Sequence, residues 1–136
     1  MRSLDVLQRL AKQEVDRERQ VLQAISSEIA TVEAEIEIRQ KAIAQEASAP
    51  LDFMTTGATL TAFLQAGEVL IQTLRERLAR LQEVYDAQIE RVRQERVEQK
   101  RYELLIERRA KQAALEAAAK EQKTIDELVT ISAKRN

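Results

Sequence analysis

Apolar residues recur three and four apart along the first segment of the chain: Leu4, Leu7, Ala11, Val15, then Leu22, Ile25, Ile29, Val32, Ile36 and Ile43. Glu18 and Arg39 fall on the same stripe and interrupt it. The spacing is that of one helix face, and the stripe is narrow with charges on both sides. That pattern predicts a coiled-coil seam rather than the wide apolar face of a globular helix. Steps of four and four from Leu7 through Ala11 to Val15 read as a stutter that locally relaxes a left-handed supercoil.

The pattern stops between Ala47 and Thr59, where Ser48, Pro50, Asp52, Thr55, Thr56 and Gly57 cluster. Pro50 cannot continue a helix and drives Ala49 out of helical geometry. Asp52, Thr55, Thr56 and Thr59 are each suited to capping a new helix. The stripe restarts at Leu60 and runs through Leu64, Ile71, Leu74, Leu78, Leu81, Tyr85, Ile89 and Val92. Arg96 and Gln99 then stand on it, and Ile106, Ala110, Ala113, Ala117, Leu128 and Ile131 carry it on more weakly. No Gly or Pro interrupts the chain after Gly67.

These signals predict an all-α fold. It is a single long antiparallel two-helix coiled-coil hairpin over 1–136, with helices at about 4–47 and 58–134, a turn at about 48–57, and a longer second helix overhanging at its C-terminal end. Folding at the turn sets residue n opposite about residue 108 − n. Glu33, Glu35 and Glu37 then lie near Arg75, Arg77 and Arg80, and Ile29, Val32, Leu74 and Leu78 are buried between the arms. Residues from about Ile106 onward are left with no partner arm.

Composition agrees with a helical coil and narrows the function. Charged residues make up 33% of the chain and aromatic residues 3%, with no Trp, two Phe and two Tyr. Such a chain lacks the side chains of an ordinary globular core. There is no His and no Cys. The commonest general base, nucleophile and metal ligands are therefore missing, and no Gly-rich phosphate loop is present. We expect no enzyme, no cofactor and no metal site. A net charge of −1 disfavours sequence-independent nucleic-acid binding, which depends on many phosphate contacts. No run approaches the roughly 20 apolar residues of a membrane span, and no apolar leader opens the chain.

What remains is protein binding. Leu51, Phe53, Met54, Leu60, Phe63 and Leu64 concentrate the large apolar residues at the turn, and read either as a cap on the coil end or as a partner-binding tip. Arg91 to Lys111 carries eight Lys/Arg against four Glu, and reads either as a solvated face or as a stripe for an acidic protein surface. The Ala-rich stretch from Ala110 to Ala119 is strongly helix-forming, a spacer or a thin surface for a narrow opening.

The C-terminal segment carries a resemblance. Lys100-Arg101-Tyr102-Glu103-Leu104-Leu105, then Glu107-Arg108-Arg109, Glu116, Glu121-Gln122-Lys123 and Asp126-Glu127, resemble the C-terminal pattern of the flagellar export protein FliJ family. The opening, Leu4-Asp5-Val6-Leu7-Gln8-Arg9-Leu10, is similar to that family's first helix, and Phe63-Leu64 to the start of its second. Leu104 departs from it, standing where the family often has Lys. The resemblance implies a stalk-like component of the flagellar type III export apparatus, cytoplasmic and peripherally associated with its membrane-embedded part. It implies binding to the hexameric export ATPase and to the cytoplasmic domain of the export gate, and escort of export chaperones. ATPase contact then falls to Arg108, Arg109, Lys111, Lys120, Lys123, Asp126 and Glu127 of the overhang. Gate or chaperone contact falls to Phe53, Met54, Leu60, Phe63 and Leu64. Such a stalk is a monomer when free. The alternatives are a homodimerising spacer and the equivalent stalk of a virulence secretion system.

Overall fold

The computed structural model describes residues 2–48 and 57–135. They form two helices, α1 (Arg2–Ser48) and α2 (Gly57–Arg135), and no strand is present among them. Asp5 in the first turn of α1, and Lys134 and Arg135 in the last turn of α2, set charges of the favourable sign against the helix dipoles. The Ser48 hydroxyl donates to the carbonyls of Ala44 and Gln45, 2.9 and 3.2 Å away, and Gln45 is one of the acceptors that a helix C-terminus leaves open. Thr59 lies inside α2 rather than capping it. Of the turn expected at about 48–57, Ser48 is the last residue of α1 and Gly57 the first of α2, while Pro50, Leu51 and the capping candidates Asp52, Thr55 and Thr56 lie outside the described residues.

The helices pack in two compact units. One contains Asp16–Arg93. Its core is Val32, Ile36, Ile71 and Leu74, with Ile43, Leu70, Leu78 and Leu81 packed against it. Each fully buried aliphatic side chain contributes about 1.5–3 kcal/mol relative to exposure, so a handful of them decides whether the pair holds. The contacts Glu18–Gln88, Glu28–Arg77 and Ile43–Gly67 run in opposite directions along the two helices, which makes the pair antiparallel. Gly67 permits a close approach. A Cβ there would lie 2.7 Å from Cδ1 of Ile43, so even alanine displaces that side chain.

The pairing differs in detail from the expected one. Arg77 meets Glu28, at 2.8 Å, rather than any of Glu33, Glu35 and Glu37. Glu37 instead pairs with Lys41 on its own helix, 3.0 Å away. The reason is geometric. Glu28 and Arg77 each immediately precede a seam residue (Ile29 and Leu78), so both project to the same flank. Glu33 and Glu37 immediately follow Val32 and Ile36, on the other flank. Ile29 and Leu78 are half-buried, whereas Val32 and Leu74 are buried.

The other unit holds the chain up to Val15 and from Gln94 onward. On α1, Leu4, Ala11 and Val15 are buried. Leu7 is 43% exposed, and half-buried Gln8 takes the seam position between Leu4 and Ala11. The steps are therefore four, three and four, and the expected stutter does not occur. On α2 the half-buried residues here are Glu95, Glu98, Gln99, Tyr102, Glu103 and Ile106. The polar seam expected at Arg96 and Gln99 runs through Glu95 and Gln99, with Arg96 exposed. Every described residue from Glu107 to Arg135 is exposed.

Candidate partner-binding surfaces

The exposed length of α2 carries every residue singled out for contact with the ATPase. Arg108, Arg109, Lys111, Lys120, Lys123, Asp126 and Glu127 are all exposed. They are separate positions on a continuous helix rather than one cluster. Lys111 pairs with Glu107 at 3.6 Å, and Asp126 accepts a hydrogen bond from Gln122 at 3.0 Å. Lys123, Asp126 and Glu127 line one open face together with Thr130 and Ile131. Four large apolar side chains share this end: Ile125, Leu128, Val129 and Ile131 are 47–62% exposed. Propensity alone supports an isolated helix weakly, so this stretch gains little from its own sequence beyond its alanines. Where it meets α1, Leu4 and Asp5 line a hollow of about 310 Å³ with Ile106, Arg109, Ala110 and Ala113.

Half of the eight cations between Arg91 and Lys111 are paired along their own helix. Arg93, Lys100, Arg101 and Lys111 pair with Glu90, Glu103, Glu98 and Glu107 about one turn away, at 3.6, 3.7, 3.3 and 3.6 Å. These pairs are exposed and each contributes little to stability, roughly 0–1 kcal/mol. They do reduce the free positive charge offered to a partner, which favours the solvated-face reading.

Near the start of α2, Leu60 and Leu64 are half-buried and Phe63 is 45% exposed. Phe53 and Met54 lie outside the described residues. Phe63 projects to the flank that also carries Glu28 and Arg77, and there it joins Arg39, Ala42, Ile43, Ala66, Gly67 and Leu70 around a groove of about 180 Å³. At a similar level the opposite flank is lined by Gln40, Glu68, Gln72 and Arg75, with Ile43 and Ile71 between them. Beside Phe63, therefore, one flank of the pair is mainly apolar and the other polar. Reading the seam alone misses that groove. Its signal is in the residues just before the seam positions near Phe63, where Ala42, Phe63 and Leu70 are apolar, whereas Gln40, Glu68 and Arg75, just after seam positions, are polar; farther along, the first flank carries Glu28, Glu35 and Arg77.

Among the described residues no group of three or more His, Cys, Asp or Glu side chains is placed to hold a metal ion. No helix there is long and apolar enough to cross a membrane.

No curated protein and no solved structure gave a match. A family model described as "Flagellar FliJ protein" matches residues 1–136, the whole chain. With a match of that extent the assignment rests on the full helical pattern rather than on one charged segment, and the chain belongs to the flagellar FliJ protein family, whose members are components of the flagellar export apparatus.

Proposed function

We propose that this protein is a non-enzymatic, cytoplasmic stalk of the flagellar export apparatus, held peripherally at the membrane through its partners. The observation that carries the reading is the run of α2 from Glu107 to Arg135, exposed at every described position yet bearing Ile125, Leu128, Val129 and Ile131. Exposed apolar side chains concentrated on one short stretch mark a surface that a partner covers. Arg108, Arg109, Lys111, Lys120, Lys123, Asp126 and Glu127 surround them with mixed charge suited to steering that partner. In a flagellar export protein the partner that fits is the central opening of the hexameric export ATPase. A single helix is thin enough to enter a ring, at about 10–12 Å across with its side chains.

The second surface is the start of α2. Leu60, Phe63 and Leu64, with Phe53 and Met54 of the preceding segment, contact the cytoplasmic domain of the export gate or an export chaperone. The apolar groove beside Phe63 supports this reading, because it offers a concave site next to an exposed ring. Changing Phe63 and Leu64 together to Ala is expected to weaken gate binding at least tenfold while leaving helical content unchanged. The check is a binding titration beside a circular dichroism spectrum. Parallel loss of helix and binding would identify the two residues as a structural cap instead.

Co-purification of the chain with the export ATPase of its own organism, with and without nucleotide, tests the reading as a whole. The free protein is expected to be a monomer. A stable dimer that ignores the ATPase would mark it as a spacer.

A further inference from the structure

Gln88 is 6% exposed, a polar side chain inside the seam, where α2 otherwise buries Ile71, Leu74 and Val92. Its amide Nε2 donates to two acceptors of Glu18 on the facing helix: the backbone carbonyl at 2.9 Å and the carboxylate oxygen Oε2. No buried side-chain nitrogen or oxygen among the described residues lacks a hydrogen-bond partner, so this layer is satisfied where it stands.

A seam of Leu, Ile and Val at heptad spacing is nearly degenerate. Shifting one helix by seven residues sets aliphatic side chains against aliphatic side chains again. Two features of this unit break the degeneracy. A shift that carried Gln88 opposite Ile25 would bury its amide against a side chain with no polar atom. A buried donor left unsatisfied costs about 1–3 kcal/mol. The same kind of shift would take Gly67 away from Ile43 and bring Leu60 or Leu74 to the place where a single Cβ already meets Ile43 at 2.7 Å.

We propose that the Gln88–Glu18 layer is a register lock, with the Gly67–Ile43 notch as its steric counterpart toward the other end of the unit. The lock fixes which residues of α1 oppose which residues of α2. It thereby sets Arg39 and Ala42 beside Phe63, Gly67 and Leu70 in the groove. A single polar seam position commonly specifies register at some cost in stability. The lock is independent of the partner assignments above.

The chain has no cysteine, so introduced cysteines can be labelled cleanly. Spin labels at Gln23 and Gln82, both exposed and both in this unit, report the alignment as a distance distribution. The parent is expected to give one distance. Gln88→Leu and Gln88→Asn are expected to add a population displaced by about 10 Å, the axial rise of seven residues. Gln88→Leu removes the amide, and Gln88→Asn keeps it on a side chain too short to reach Glu18. Helical content is measured in parallel. A single unchanged distance in both variants would overturn the lock. Loss of helix in both would overturn it too, by showing that Gln88 holds the fold rather than its alignment.

Discussion

Deleting residues 112–136 is expected to abolish association with the export ATPase while the packed helices stay folded. The deleted residues are exposed throughout their described length and contribute nothing to the Val32–Ile36–Ile71–Leu74 core. Their removal therefore costs no buried aliphatic area there. It does remove Ile125, Leu128, Val129 and Ile131, with Lys120, Lys123, Asp126 and Glu127 around them. The truncated chain should elute without the ATPase on size-exclusion chromatography and should keep the melting temperature of the parent. Normal co-elution would move the contact to the paired part of the helices or to the start of α2. A collapse of the melting temperature would show that the deleted stretch supports the fold.

The largest stability effect is expected at Leu74→Ala. Leu74 is 7% exposed and lies in the central cluster with Val32, Ile36 and Ile71. Truncating a buried leucine costs about 2–5 kcal/mol, from lost transfer energy and the cavity left behind. A seam only two helices thick lets solvent and neighbours relax into the gap, which favours the lower half, about 2–3 kcal/mol. Leu78→Ala, at a half-buried position beside the same cluster, should cost less. Chemical denaturation of the three proteins checks both the magnitude and the order. Equal stability for Leu74→Ala and the parent would contradict the helix pairing itself.

The two helices and their antiparallel pairing were legible in the sequence because both rest on strong local signals. The stripes from Leu22 to Ile43 and from Leu60 to Val92 repeat at helical spacing, and a Pro and a Gly stand between them. The finer alignment was less legible. The expected charge match placed Glu33, Glu35 and Glu37 against Arg75, Arg77 and Arg80 by distance along the chain alone. Which flank of the seam each side chain takes decides the pairing, and that put Glu28 on Arg77. Leu7 misled for a related reason. Hydrophobicity favours it over Gln8, but the heptad from Leu4 to Ala11 passes through Gln8. Gln88 escaped in the same way, because a polar residue three after Tyr85 and four before Val92 is invisible to a search for apolar residues.

The partner surfaces were legible only in part. Exposure of Lys120, Lys123, Asp126 and Glu127 follows from the length of α2, which the sequence states, whereas Arg109 stands beside Leu4 and Asp5 of α1. The groove beside Phe63 needs both helices, since Arg39, Ala42 and Ile43 come from α1 and Phe63, Ala66 and Leu70 from α2. Family membership supplies the export apparatus. The chemistry of the surfaces proposes where its parts attach.

Amide hydrogen exchange on the full-length protein, alone and with the export ATPase hexamer, tests the assignment of the C-terminal stretch most directly. In the free protein, amides from Glu107 to Arg135 should exchange faster than those of the core, most of all beyond Ala113, since every described residue there is exposed. Amides around Val32, Ile36, Ile71 and Leu74 should exchange slowly. Adding the ATPase should protect residues 107–135 and leave the central cluster unchanged. Complex formation with no new protection over 107–135 would contradict the account.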